Sequence, residues 1–580
     1  MSKQKAIEVL DDTLIMKLDR NFRSVLAQAS RGTSPLELGL ATMDWISHLA
    51  ISPGKRIQLR LSFLSKLKQL GVYGVESLFN KSAQGPASAI ERRMSGEAWQ
   101  KWPFKVFAQT HQASKDWWKE ATIGVEGVRS EHEIQVHAVA EQILDMLSPA
   151  NSLFTNPEVL RTTIKERGRN LARGLRFFVK DKLRDAANKG VDENDAFVVG
   201  ENLAVTPGKV VFQNSLIELI QYQPVTSEVA AEPVLISPAW IMKYYILDLS
   251  PHNSLVKYLT EQGKTVFIIS WKNPDKADKH VSFEDYVELG LMKAIDAVSA
   301  ICPKRKIHAV GYCIGGTLLS IAASAMARDD DARLQTISLF AAQADFSEAG
   351  EITRLISPSQ LSFLEKLMWK QGYLGSESMG GAFSSLRSSD LIYAGIVDRY
   401  LMGKEVQLND LMSWNADGTR MPYRMHIEYL TQLYLENRLS QNKFKIGGRT
   451  ISLSDIRAPL FVLGTETDHV APWQSVYKIH QLTQGELTFA LTSGGHNAGV
   501  ISGPEHPRRL YRIHTRLSGD KYIDPDTWLE DEEPNSGSWW PVWDKWLDQR
   551  TTTQVKPPTM GASRKGYKPL RDAPGEYVFG

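Results

Sequence analysis

The distribution of apolar positions along the chain changes character once. From the start to about residue 190, apolar residues recur at helical spacing and β-branched runs are scarce, which predicts an α-helical region. The segments 36–50 (LELGLATMDWISHLA) and 131–147 (EHEIQVHAVAEQILDML) read as amphipathic helices. Asn156-Pro157-Glu158 places a capping side chain, a first-turn proline and an acid where a helix begins. The basic and apolar run that follows, 159–190, reads as the solvated basic face of a packed helix.

Beyond about residue 195 the pattern becomes short β-branched runs alternating with helical stretches, which predicts a mostly parallel sheet covered on both faces. Strands are predicted at 233–237, 265–270, 307–311, 336–340, 460–464 and 487–491. The roughly 120 residues between the fourth and fifth runs far exceed an ordinary connection, and predict a cap over the sheet at about 345–445. The tail adds an aromatic helix at 537–547 (GSWWPVWDKWL), whose tryptophans read as packing. The expected organisation is an α-helical N-terminal domain over 1–195 and an α/β domain over 196–580 that carries the cap.

Composition narrows the function classes. With 580 residues, two or three structural units are expected. Lys and Arg number 68 against 66 Asp and Glu, a balance of +2 that creates no field to draw the chain onto nucleic acid. The two cysteines, Cys302 and Cys313, lie too close in sequence to staple distant elements, and such sparse use fits a reducing compartment. The opening residues, MSKQKAIEVLDDTL, mix charges and lack the apolar run of a signal peptide, so a cytoplasmic protein is expected. One uncharged window, 309–327, has the length of a membrane span, but its Gly-Tyr-Cys-Ile-Gly-Gly core breaks it into strand, turn and helix, and no transmembrane segment is expected. No metal-ligand spacing stands out, and no metal is expected.

The chemistry concentrates at Gly311-Tyr312-Cys313-Ile314-Gly315-Gly316, between a predicted strand and a predicted helix. This is a nucleophile elbow with Cys in place of Ser: the tight turn exposes the nucleophile, and flanking glycines keep side chains from colliding across it. The helix N-terminus beside the sulfur favours a thiolate. Cys302, before Pro303 at a helix end, has no such context and reads as structural. On an α/β-hydrolase fold the partners follow in the order nucleophile, acid, histidine, each in a loop after a later strand. Asp468 and His496 satisfy that order; Asp345 and Glu466 are competing acids, and Asp468 is preferred because Asp345 trails the strand next to the nucleophile's own. His308 lies inside a strand and His506 between Glu and Pro, so both read as structural, while His469 is either a residue that fixes Asp468 or an ordinary loop histidine. The oxyanion donors expected by position are the Ile314 N–H and a second from the loop after 233–237, at Ala239 or Trp240.

Over roughly residue 140 to the end, and more loosely before it, the chain resembles the class I type of polyhydroxyalkanoate synthases. The resemblance rests on Leu147-Ser-Pro-Ala-Asn151 with Thr155-Asn-Pro-Glu158, Thr206-Pro-Gly208 with Ile220-Gln-Tyr222, Pro238-Ala-Trp-Ile-Met-Lys-Tyr-Tyr-Ile-Leu-Asp248 and Ile269-Ser-Trp-Lys-Asn-Pro274. It continues through the Gly-Tyr-Cys elbow, Asp345-Phe346, Trp414-Asn-Ala-Asp417, Asp468-His469 with Pro472-Trp473, and Ser538-Trp-Trp-Pro541. Two places depart: the histidine motif, Ser493-Gly-Gly-His-Asn497, has one more glycine than the commonest form, and 80–130 lacks an aromatic and proline-rich segment.

The resemblance implies an α/β-hydrolase fold with a helical cap insertion and an α-helical N-terminal domain. It implies an acyltransferase that polymerises (R)-3-hydroxyacyl-CoA with release of CoA, with Cys313 as acyl-carrying nucleophile, His496 as base and Asp468 as acid. The Gly-Tyr-Cys form is similar to enzymes using short units such as 3-hydroxybutyryl-CoA. Coenzyme A enters with the substrate and no cofactor is implied; the implied partners are the growing polyester, a second copy of the chain and granule-associated proteins, at the surface of cytoplasmic polyester granules. Arg387 and Lys243, near the cap, are the basic groups considered for CoA contacts. The rival readings are a thioesterase or depolymerase on the same fold, and a non-catalytic granule-surface protein.

Overall fold

A computed structural model describes residues 34–80, 83, 85–87, 90–186, 197–386, 392–405 and 408–580. The chain forms two compact units, one of Leu26–Glu193 with Met379–Gln407, the other centred on Asn194–Ser378 and Leu408–Gly580. The span Met379–Gln407, inside the range where a cap is predicted from sequence, thus groups with the N-terminal helices.

In the first of these units the helical periodicity is realised as α1 (Pro35–Ala50), α2 (Pro53–Phe79), α3 (Phe104–Thr122), α4 (Ser130–Met146), α5 (Pro157–Lys165) and α6 (Arg169–Ala186). The amphipathic segments 36–50 and 131–147 are α1 and α4. Asn156 caps α5 as its sequence predicts, its side chain accepting from the N–H groups of Glu158 and Val159. The basic run is broken between α5 and α6, where Arg167 and Gly168 both take positive φ and end the helix. Indole N–H groups tie the helices together: Trp45 donates to Ala121 O at 2.9 Å and Trp117 to Leu59 O at 3.0 Å.

The second unit is built on one mixed sheet. Its strands are β1 (Gly208–Gln213), β2 (Ile217–Tyr222), β3 (Val234–Ser237), β4 (Val266–Trp271), β5 (Ile307–Tyr312), β6 (Leu334–Phe340), β7 (Leu460–Thr465), β8 (Leu487–Thr492), β9 (Leu510–Arg516), β10 (Asn535–Ser536) and β11 (Arg571–Asp572). They lie in the order β10-β9-β8-β7-β6-β5-β3-β4-β2-β1-β11. The run from β8 to β4 is parallel, and β1, β2, β9, β10 and β11 join it antiparallel at the two flanks. All six strands predicted from sequence are the parallel ones, and they are buried on both faces, as continuous apolar runs require. The helices of this unit include α7 (Leu255–Glu261), α8 (Lys293–Ile301), α9 (Ile314–Arg328), α10 (Pro358–Gln371), α11 (Tyr423–Tyr429) and α12 (Trp540–Asp548).

This is an α/β-hydrolase fold, with helical cap segments, among them α10 and α11, inserted between β6 and β7. The uncharged window 309–327 divides into β5, Cys313 and α9, and no helix among the described residues is long and apolar enough to cross a membrane.

The register aligns the carboxyl ends of the central strands. Tyr312 pairs with Phe340 across β5 and β6, Phe340 with Leu463 of β7, and Thr465 at the end of β7 with Thr492 at the end of β8. Loops leaving β5, β7 and β8 therefore start from one edge of the sheet, where ligands bind in such folds.

Candidate active site

Cys313 joins β5 to α9 with φ 55° and ψ −130°, a strained conformation for a side-chain-bearing residue. The turn is held by its own backbone: Cys313 N donates to Phe340 O, and Cys313 O accepts from Gly316 and Thr317. The glycine at 315 is a packing necessity, because a Cβ there would lie 2.3 Å from Ser237 O and 2.5 Å from Pro238 O. The first turn of α9 and the loop after β3 thus touch backbone to backbone. Ile314, the first residue of α9, has an N–H with no intrahelical acceptor, while Ala239 and Trp240 sit buried in that adjoining loop. The loop is fixed from behind, with Trp271 Nε1 donating to Pro238 O at 2.9 Å and Thr419 Oγ1 to Trp240 O at 2.5 Å.

Asp468 follows β7, its side chain fully buried, and accepts four hydrogen bonds. Thr465 Oγ1 donates to Oδ2 at 2.8 Å, the N–H groups of Val470 and Ala471 donate to Oδ1 at 2.8 and 2.9 Å, and His496 Nδ1 meets Oδ2 at 2.7 Å. Burial works to raise its pKa, but the His496 charge and these donors hold the carboxyl below its ordinary value. His496 follows β8. Burial disfavours its imidazolium, yet the charges of Asp468 and Cys313 and its hydrogen bond to Asp468 keep its pKa well above the ordinary histidine value. Cys313, His496 and Asp468 therefore line up as a chain at the carboxyl edge of the sheet, with His496 bonded to Asp468 and within electrostatic reach of the sulfur. A chain of this kind can pass a thiol proton to an imidazole whose cation is stabilised by a carboxylate.

The other residues singled out from sequence are engaged elsewhere. Asp345 accepts from Ser347 N at 2.9 Å and its Oδ1 lies 3.9 Å from Lys478, and Glu466 pairs with Arg512 at 2.8 Å. His308 is buried in β5 against Thr336 Oγ1, and His506 is exposed. The backbone of His469 accepts from Glu351 N. Cys302 is buried, which pushes its thiol up to about 12. Lys243 Nζ is buried and donates to Gly580 O at 2.7 Å, and Arg387 lies outside the described residues.

Two tyrosines of the cap had no signal in the sequence. Burial raises the phenol pKa values of Tyr429 and Tyr434, and the Cys313 charge adds to this, so both lie within its electrostatic reach. The chain departs from α-helical spacing there, since α11 runs into a π-helical turn, Leu430–Leu435, and the two hydroxyls meet at 3.4 Å. Tyr312 was legible only as part of the elbow; its ring stacks on His496, 5.6 Å between centroids, and its hydroxyl donates to Asn497 Oδ1 at 2.6 Å.

The sequence as a whole matches two family models, described as the Poly-beta-hydroxybutyrate polymerase (PhaC) N-terminus, over residues 90–259, and the Poly-beta-hydroxybutyrate polymerase N terminal, over residues 15–55. It is 34% identical to the poly(3-hydroxyalkanoate) polymerase subunit PhaC of Rhizobium etli, over 98% of this chain and 92% of that one. The chain belongs to the polyhydroxyalkanoate synthase family. It is an acyltransferase that polymerises hydroxyalkanoates. The corresponding subunit of Cupriavidus necator is 32% identical over 93% of this chain and 91% of its own, and the poly(3-hydroxyalkanoate) polymerase of Methylorubrum extorquens 36% over 84% and 80%. A third model, described as alpha/beta hydrolase fold, matches residues 232–500 of the synthase. Among solved structures, a monoacylglycerol lipase of Paleococcus ferrophilus aligns over 58% of this chain and 99% of its own, at 13% identity and a TM-score of 0.32.

Proposed function

We propose that the enzyme transfers the acyl group of an (R)-3-hydroxyacyl-CoA to Cys313 with release of CoA, and that the units are short, of the 3-hydroxybutyryl kind. The observation that carries this reading is Cys313 in a strained strand-to-helix turn, within electrostatic reach of a His496 that is itself bonded to a buried Asp468. His496 takes the thiol proton, the sulfur attacks the thioester carbonyl, the C–S bond to CoA breaks, and the proton leaves with the CoA thiolate. The N–H groups of Ile314 and of Ala239 or Trp240 receive the oxyanion. In the second half, the 3-hydroxyl of another unit attacks the acyl-Cys, its proton passing to His496, and an oxoester forms as the Cys313 C–S bond breaks.

Exchange of one thioester for another is nearly balanced, so the acyl-enzyme retains the reactivity that ester formation needs. An acyl serine would have lost it. The cap tyrosines Tyr429 and Tyr434, within electrostatic reach of the sulfur, support a preference for short side chains. Within this reading no cofactor takes part, coenzyme A arriving with the substrate, and the enzyme works as a homodimer at the surface of cytoplasmic polyester granules.

The test is incubation with (R)-3-hydroxybutyryl-CoA, following released CoA with a thiol reagent and polyester by mass, beside Cys313→Ala. CoA release matched by polymer and lost in the variant is the expected result. Cysteine-dependent release that yields only free 3-hydroxybutyrate would make water the acceptor and overturn the proposal.

A further inference from the structure

The loop that carries His496 is held from outside the chemistry by one cation. Arg509, directly before β9, donates from Nη1 to Ser493 O at 3.1 Å and from Nη2 to Ala498 O at 2.7 Å, so its planar fork spans carbonyls three residues before and two after the histidine. Among the described residues no carboxylate lies within ion-pair distance of this guanidinium, and its Nε is buried without a partner. A charge placed against carbonyls alone is retained at a desolvation cost, which a loop brace accounts for and a surface ion pair does not.

Gly494 supports the same reading. It takes φ +108°, and a Cβ at this position would lie 2.5 Å from Arg509 Nη1, so the first glycine of Ser493-Gly-Gly-His makes room for the fork. Arg509 is itself anchored, its carbonyl accepting from Gly537 N at 2.7 Å. The loop is also tied to the acid's loop, Thr467 N donating to Gly494 O at 3.0 Å.

We infer that Arg509 is a positioning residue that sets the reach of His496 between Asp468 and Cys313 by bracing both ends of its loop. This rests on the proposed role of His496. The charged and titratable groups facing His496 are Asp468, Cys313 and Tyr312; Arg509 acts on the backbone and touches none of the reacting groups.

The experiment compares Arg509→Met and Arg509→Lys with the unaltered full chain. Two readouts are used: kcat and KM for CoA release, and the rate of Cys313 alkylation by iodoacetamide across pH, read by peptide mass. Arg509→Met is expected to lose about 10- to 100-fold in kcat with KM within about twofold, the scale of a misplaced catalytic group. It should also slow alkylation at neutral pH about 10-fold, and Arg509→Lys, which keeps the charge without the fork, should fall between. A folded Arg509→Met with unaltered kcat and alkylation profile overturns the inference. If Arg509→Met does not fold, Arg509→Lys must still show a kcat loss at unchanged KM; unaltered values there overturn it equally. Should the unaltered chain release no CoA, the proposed function fails, while the alkylation comparison still decides the role of Arg509.

Discussion

At the scale of single residues, the site is a set of side chains whose protonation depends on one another. Asp468 is the main group raising the His496 pKa against burial, so Asp468→Asn should let the imidazole titrate closer to its ordinary 6.5, checked by NMR of the labelled histidine. The same change should lower CoA release by about 10²- to 10⁴-fold, the range seen when an orienting acid or base is removed. Gly315→Ala tests the elbow. Its methyl cannot fit against Ser237 O and Pro238 O, so α9 or the loop after β3 must shift. Activity should be abolished with Cys313 still present, and wild-type turnover in this variant would show that the close approach is dispensable.

At the scale of elements, the tail helix and the histidine loop form one assembly. In and just before α12, Trp539 Nε1 donates to Gly499 O at 3.1 Å and Trp540 Nε1 to Val500 O at 2.9 Å, in the turn that follows His496. Trp543 and Trp546 donate to Ser338 Oγ of β6 and Thr488 Oγ1 of β8. Packing and recognition are hard to separate in a tryptophan-rich sequence, but here every one of these indoles is buried and bonded inward. Trp539→Phe leaves Gly499 O without this donor and opens a small gap, and should cost roughly 1–3 kcal/mol in urea denaturation. Turnover should fall with it, because the same carbonyl belongs to the loop that presents His496.

At the scale of the whole molecule, buried imidazoles of the α/β unit contribute to acid sensitivity. Burial, aided by neighbouring cations, depresses His308 to about 3 and His480 to about 3, and burial alone depresses His426 to about 4. Below 6.5 the unfolded chain binds protons that the native unit refuses, so this stability is present above 6.5 and is lost as pH falls toward 4. Each histidine contributes a slope of up to about 1.4 kcal/mol per pH unit in that window. Urea midpoints should therefore drop between pH 7 and pH 5, and His426→Leu should flatten the slope. A slope unchanged by that substitution would assign the acid sensitivity to other groups.

What the sequence determined by itself is the part governed by local rules. Short, β-branched apolar runs bounded by turn residues fit strands covered on both faces, which is why all six parallel strands were readable. A Gly-x-Cys-x-Gly turn between strand and helix has one steric solution, which made Cys313 legible, and the order of later loops pointed to Asp468 and His496. Tertiary structure decided whatever depends on distant partners. Strand β2 carries Glu218 and Gln221 in fully buried positions, which no local pattern permits; Arg571 and the N–H groups of Glu576 and Tyr577 satisfy the first, and Thr559 and Gly561 the second. Strand β9 is half-exposed and charged, and becomes a strand through its antiparallel pairing with β8 and β10. Tyr429, Tyr434 and Arg509 meet the site from segments with no motif of their own. Their contacts arise from folding of the cap and of the β8–β9 connection, and long-range contacts of this kind leave no periodicity in the chain to read.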